Sequence, residues 1–502
     1  MQRLAAAALV LWLAPILSVG AAGFGLPLAA SVAAGTAIAA ATAAGTARLL
    51  SRRLDARLPA WIALALLLAS AAAIVRFGAL SVFMADARRL EFSVAPDDPF
   101  RRHHSCVSAY AESARFLAVG HHNIYERALY RPGGEPRELG PLRVDAFHYP
   151  PPFLLLPQAL RLAAPDFWDF RRVWFAIQAV TLAGAIVAAA AWIGGLPGAV
   201  ALLGGALLLA FPHAAYTFQQ GNFQATAVPV AAVAFGLLAA GRPATGAAAL
   251  AYAALSKIFP GILVVPLLAA RQWRAAGWVA AWGVVILAIT LTVQGVQPMR
   301  DFFSTSLPEI SSGAAFPQTE TLQHSRVNWS AYGQTVRLRQ LGAEWLTQRR
   351  GLMVAQVYGL LVVALALWAG WNRRFDPGDR RGRLALVQLT LALLSLASFR
   401  SPFVGAAYGV LATLWLMGIL AAAAATRRGA AAWIVALCAM AGATWLVPSP
   451  GEPPSVPWLW GSGLLVLSAM AVNVWAVVDA VRTARGLAAV EDSRPPASAV
   501  SW

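Results

Sequence analysis

Apolar runs about as long as a membrane-crossing helix recur along the whole chain, and they restrict it to one class of fold. A helix rising about 1.5 Å per residue needs about 20 predominantly apolar residues to cross the hydrocarbon core. Residues 4–20, 24–46, 58–82, 151–165, 173–193, 197–213, 225–240, 245–269, 276–296, 351–371, 384–399, 403–425, 429–447 and 458–480 read this way, about 14 spans in all. Lipid offers the backbone no hydrogen-bond partners, so spanning segments of this length are helices. The expectation is an all-α polytopic membrane protein with a single integral domain over residues 1–480 and a disordered cytoplasmic tail over 481–502. Only 12% of the residues are charged, against about 25% in a soluble domain. The net charge of +17 resides mainly in arginines of short loops, such as Arg48, Arg52, Arg53 and Arg57. That is the pattern of cytoplasmic loops, not of a nucleic-acid surface. It places both termini inside, in the inner (plasma) membrane of a cell whose arginine-for-lysine bias suggests a GC-rich bacterial genome. Cys106 and Cys438 are the two cysteines, too few for a disulfide framework or a CxxC metal site.

Two polar stretches interrupt the apolar pattern, residues 83–150 and 297–350. Both fall on the extracytoplasmic side of this topology, and loops longer than about 15 residues are usually functional or disordered. The tyrosines and the apolar spacing of Tyr110, Ala114 and Leu117 argue for order. A third stretch, HAAYTFQQGNFQATAVP, is too polar for a lipid-facing helix and suits broken backbone lining a cavity. Lys257 is the sole lysine and lies in an apolar segment. An ionisable group there marks a functional site unless it snorkels to an interface. No Gly-rich nucleotide loop is present, so an activated substrate at the outer face would arrive as a lipid.

The segments YPPPFLLLPQAL, QQGNFQATAV, ALSKIFPGILVVPLLAARQWR and HSRVNWSAYG occur in this order. The ordered set resembles glycosyltransferase family 87, the bacterial polyprenyl-phosphate-mannose-dependent mannosyltransferases of the GT-C fold class. The resemblance implies inverting transfer of a hexose, with mannose first, from a polyprenyl-phosphate carrier to an extracytoplasmic lipid or glycan acceptor. It implies no cofactor and no metal, and its partners are the lipid donor, the acceptor and membrane lipids, with no nucleic acid. Two positions depart from the family pattern. Cys106 stands where an aspartate is expected, and Gln219-Gln220-Gly221-Asn222 replaces Gly-Gln-x-Asn. The competing reading is a secondary transporter or lipid-carrier flippase, for which an internal repeat would speak; none is visible.

Such a transfer needs a base for the acceptor hydroxyl and fixed cations for the departing phosphate. Asp86, just beyond the third apolar run, is the first candidate base, with Asp98, His104 and Glu112 behind it. His324, in the second loop, is the other catalytic candidate. Lys257, Arg337 and Arg400 are candidate phosphate ligands. Asn123, Tyr125, Tyr149, Gln220, Asn222, Asn328 and Ser330 are candidate cavity-lining groups raised by the resemblance.

Overall fold

The computed structural model describes residues 2–54, 59–121, 123–316, 320–321, 325, 327–371, 377–427 and 456–492. The first three helices, α1 (Gln2–Ala22), α2 (Leu28–Arg53) and α3 (Ala60–Ala85), precede the first polar loop. Within that loop lie α4 (Pro99–His103), β1 (His104–Ser105), α5 (Cys106–Ala118), β2 (Glu138–Leu139) and β3 (Leu142–Val144). There follow α6 (Leu155–Ala163), α7 (Phe167–Ile193), α8 (Gly195–Ala210), α9 (Pro212–Gln220), α10 (Gln224–Ala239), α11 (Pro243–Lys257), α12 (Val264–Ala269) and α13 (Trp273–Gln294). The second polar loop holds α14 (Gln297–Asp301), α15 (Leu307–Ser312) and α16 (Ala331–Gln340). The chain closes with α17 (Gln348–Trp371), α18 (Arg380–Ser398), α19 (Ala406–Gly409), α20 (Leu411–Arg427) and α21 (Val456–Asp492).

Among the described residues six helices are long and apolar enough to cross a membrane: α2, α3, α7, α13, α17 and the Leu459–Gly486 part of α21. Helices α8 and α9 together make a seventh, bent by 62° at Phe211. The chain is therefore a multi-pass membrane protein. Shorter apolar helices, among them α10 and the core of α20, stand beside the long ones. At the crossing of α8 and α20, Gly204 and Gly418 meet so closely that a Cβ on Gly204 would lie 2.5 Å from the Gly418 Cα. Small residues at such a crossing let two apolar helices gain backbone packing that lipid does not supply.

Two expectations change. Residues 151–165 fold as a 3₁₀ turn, Pro151–Leu154, followed by the nine-residue helix α6. At about 1.5 Å per residue α6 reaches about 14 Å, half a bilayer core. Successive prolines leave too few backbone donors for a continuous helix there. Consequently Arg171 and Arg172 lie at the same end of the bundle as the first loop. Arg171 Nη1 donates to the carbonyls of Phe83 and Met84 (3.0 and 3.1 Å), and Arg172 Nη2 to that of Ala85 (2.8 Å). They serve the unpaired carbonyls that end α3. The tail also differs: α21 continues past residue 481 to Asp492, and only the residues beyond lie outside the described set.

The bent α8–α9 pair brings QQGN to the loop end. Proline at the first position starts α9 without losing a needed N–H. Gly221 ends it with φ +68°, a left-handed conformation suited to glycine. Gln219 then ties this end to the loop, accepting from Val94 N (2.7 Å) and donating to the Arg101 carbonyl (2.9 Å). At the opposite end, the α7–α8 junction at Gly194 approaches the Arg53 carbonyl that ends α2.

Candidate active site

The first loop contains a small sheet in the order β1-β3-β2. Strand β1 runs parallel to β3, with His104 opposite Arg143 and Ser105 opposite Val144. Extending that register by one residue sets Cys106, the first residue of α5, beside Asp145. Ser108 secures the corner: its hydroxyl accepts from Asp145 N (3.0 Å) and lies 3.3 Å from the Arg143 carbonyl. His104 stands between the two. Its Nδ1 is 3.2 Å from Asp145 Oδ1, and its Nε2 is 3.7 Å from Cys106 Sγ. The ring stacks on Phe100 with centroids 4.8 Å apart. Burial alone would lower the imidazole pKa, but Asp145 and the Cys106 sulfur outweigh it and hold it well above the ordinary histidine value. A neutral counterexample is His148 nearby, which burial pushes down to about 4.

A second row continues from the sulfur. Asn222 Nδ2 lies 3.5 Å from Cys106 Sγ, and Asn222 Oδ1 accepts from Lys257 Nζ at 2.9 Å. Gln178, donating to the Asn222 carbonyl (2.7 Å), and Trp174, donating to the Gly221 carbonyl (2.9 Å), fix this turn from α7. Lys257 also donates to Tyr149 OH at 3.4 Å. Its ammonium sits over the rings of Tyr149 (5.2 Å) and Tyr408 (5.6 Å). Among the described residues no carboxylate pairs with Lys257. Aromatic faces and an amide oxygen hold the cation without neutralising it, which leaves its charge for an incoming anion. The next residue, Ile258, has φ +51°. A β-branched residue held there is strained, and such strain persists where surrounding structure demands it.

These side chains face one cavity of about 1050 Å³. Its wall includes His104, Tyr149, Gln220, Asn222, Lys257 and Arg400 from the sequence-level candidates. Gln220 Oε1 and Gln224 Nε2 are buried in that wall with no hydrogen-bond partner among the described residues. An unpartnered acceptor and donor in a cavity wall are the groups a polyhydroxylated ligand would satisfy. The second loop closes one side with Leu307, Ile310 and Phe316. Arg127 fastens the loops together, bonding Glu309 (3.1 Å) and the Ala314 carbonyl (2.7 Å).

Other candidates lie elsewhere. Asp86 ends α3, exposed, with its carboxylate accepting from Arg88 N (3.0 Å). Asp98 caps α4 and pairs with Arg101. Glu112 is buried between Arg115 (2.8 Å) and Arg137 (2.7 Å). None of the three lines the cavity. Asn123 makes a local turn with Tyr125 N, and Tyr125 donates to the Tyr149 carbonyl (2.8 Å), supporting the wall from behind. His324 lies outside the described residues.

Asn328 and Ser330 form a buried clip. The Asn328 side chain accepts from Ser330 N and Val404 N (both 3.0 Å) and donates to the Pro402 carbonyl (2.9 Å). Ser330 Oγ also donates to Pro402 and accepts from Gly333 N. Arg337 is buried beneath, donating to the Asn328 carbonyl (2.8 Å). The clip positions the 400–405 turn, which carries Arg400 into the cavity wall. Asn328→Ala should lower unfolding stability by about 3 kcal/mol, because it strands buried donors and an acceptor; thermal unfolding in detergent measures this.

The sequence reading passed over Asp145 and Tyr408, and it met Tyr110 and Gln224 in polar stretches without naming them as site residues. Asp145 had a usable signal, since it stands four residues before the Tyr149-Pro150-Pro151-Pro152 run in the same short loop. His104, Cys106 and Asp145 each offer a donor atom within 4.8 Å of the others, a nitrogen, sulfur and oxygen set that suits zinc better than magnesium. Yet the imidazole turns a different nitrogen to each neighbour. A shared ion would require the ring to leave this row of contacts.

The sequence profile of glycosyltransferase family 87 matches residues 147–398, half of the chain. The chain belongs to glycosyltransferase family 87. No curated protein and no solved structure matches it. The matched span contains Tyr149, Gln220, Asn222, Lys257 and the clip at Asn328. The row of His104, Cys106 and Asp145 lies just before it. As a glycosyltransferase, the protein transfers a sugar from a donor to an acceptor, and the cavity that gathers polar residues of the matched span is its candidate active site.

Proposed function

We propose that this glycosyltransferase moves a hexose, with mannose the first candidate, from a polyprenyl-phosphate carrier to a lipid or glycan acceptor, with inversion at C1. In this reading the fold is of GT-C type, both polar loops face the extracytoplasmic side of a bacterial plasma membrane, and the sugar carrier enters from the lipid.

The observation that carries the proposal is the company Lys257 keeps. Lys257 and Arg400 present two cations to the cavity without a carboxylate partner among the described residues. Beside them the wall is apolar, formed by Ile258 and Phe259 just after α11 and by Leu352 in the first turn or two of α17. An anionic head joined to an apolar tail fits that pairing, and fixed cations favour the charge that develops as phosphate departs. The volume of about 1050 Å³ is at the upper end of small-ligand sites, which suits two substrates meeting.

The test is transfer of radiolabel from polyprenyl-phosphate mannose to a membrane-lipid extract by purified protein in detergent. A labelled product is expected. No transfer from mannose or glucose carriers, together with counterflow of a solute in liposomes, would replace this reading with a transporter.

A further inference from the structure

We propose that Asp145 is the proton acceptor of the transfer reaction, held in position by His104, and that it supplies from β3 the carboxylate missing at position 106. The inference rests on the glycosyl-transfer reading above and names the residue that would perform its acid–base step.

The cavity wall contains Asp145 as its one carboxylate among the described residues. The three other acids weighed as bases stand away from it: Asp98 caps a helix, Glu112 is locked between two arginines, and Asp86 is exposed at the end of α3. Among the described residues Asp145 is held only from one side. His104 contacts Oδ1 at 3.2 Å, and Ser108 accepts from its backbone N–H. Its side chain keeps 28% of its surface accessible, so the second oxygen is open to a ligand. A base has to reach the proton it removes, and this carboxylate borders the space where an acceptor hydroxyl would sit. The parallel register places the carboxylate within 4.8 Å of the Cys106 sulfur. The two positions, one just after β1 and the other just after β3, can therefore deliver an acidic side chain to nearly the same point.

In the step itself, the acceptor oxygen attacks C1 of the sugar and its proton passes to the Asp145 carboxylate. The bond between C1 and the phosphate oxygen breaks, and the electron pair leaves with polyprenyl phosphate toward Lys257. One bond forms, one breaks, and no oxidant or metal enters the balance. His104 acts through Asp145 and is a positioning residue; Asn222, bonded to both Cys106 and Lys257, links the two halves of the site.

The experiment compares four full-length proteins in the radiolabel transfer assay: native, Asp145→Asn, Cys106→Asp, and the double variant Asp145→Asn/Cys106→Asp. Asp145→Asn should lower kcat by about 100-fold or more with donor KM little changed, the size expected for loss of a general base. The double variant should recover at least about tenfold, because the carboxylate returns from the neighbouring position. A merely structural role for Asp145 predicts no such recovery. The idea is overturned if Asp145→Asn keeps more than about a tenth of native kcat, or if the double variant is no better than the single one. It is also overturned if native protein contains one equivalent of zinc whose removal abolishes transfer, since the three side chains would then be ligands. If native protein transfers no lipid-linked sugar, the glycosyl-transfer reading fails first and takes this assignment with it. If native protein transfers and Asp145→Asn does too, only the base assignment falls.

Discussion

Replacing Lys257 with methionine is expected to lower kcat/KM for a polyprenyl-phosphate sugar by about 100- to 1000-fold while leaving the thermal midpoint unchanged or higher. The two halves of that expectation come from the same geometry. Methionine keeps the length and volume of the side chain but removes the ammonium that reaches Asn222 and the faces of Tyr149 and Tyr408. Loss of a preorganised charge aimed at a transition state typically costs about 3 kcal/mol of barrier. Stability should move the other way, because a half-buried cation with no carboxylate partner among the described residues is a burden on the folded state. Activity measured beside thermal unfolding separates the alternatives. A lysine with a structural role would lose stability together with activity. A lysine that only snorkels would change neither. Lys257→Arg should fall between native and Lys257→Met, since a planar guanidinium keeps the charge but not the compact fit.

Gly221→Ala is expected to have the largest effect on folding, lowering stability by about 2–5 kcal/mol through left-handed strain and overpacking together. The backbone at Gly221 has φ +68°, and a Cβ would overlap the Val107 side chain and approach Trp174 Cδ1 at 3.2 Å. Val107 is fully buried, so it has no solvent to retreat into. Folded yield by fluorescence-detected size exclusion and the thermal midpoint both report the loss. Adding Val107→Ala should return part of it by removing the overlap while leaving the strain. Full recovery would mean that the φ angle contributes nothing.

Much of this arrangement was legible from residue types. Long apolar runs dictate helices, and α2, α3, α7, α13 and α17 appear close to where the runs predict them. The polar QQGN stretch and the lone lysine both point inward for the same reason, that lipid cannot satisfy them. Apolar content failed where backbone chemistry overrode it. Residues 151–165 are hydrophobic enough to span, but four prolines, at 151, 152, 157 and 165, leave a 3₁₀ turn and a short helix. Counting that run as a span would put the arginine pair that follows on the cytoplasmic side. Arg171 and Arg172 instead serve the carbonyls ending α3, a role no charge count distinguishes from a basic loop.

The site was harder to read because its polar groups come from distant parts of the chain. Asp86 was favoured for being near a helix end in sequence, yet β-pairing between residues 39 positions apart, Ser105 and Val144 among them, brings a different acid to the cavity. Neither strand exceeds three residues, too short for an alternating pattern to announce itself. Asn328 and Ser330 look like ligand groups on a polar loop, but the structure uses them to hold that loop to the 400–405 turn.

That brief sheet has a consequence for how the protein can vary. Successive strand residues face opposite ways, so a slip of one position between β1 and β3 would withdraw the Asp145 side chain and present Val144 or Ala146 in its place. By contrast, the glycines of two turns, at Gly120 and at Gly133 and Gly134, have positive φ and open space around them, outside the stretch that holds Tyr125 and Arg127 in place. Insertions there would lengthen an excursion without disturbing the alignment of the strands it joins. Relatives of this chain should therefore differ freely in the size of that excursion, while any change of length inside the six-residue span Leu142–Phe147 should silence the enzyme without unfolding the membrane bundle beneath it.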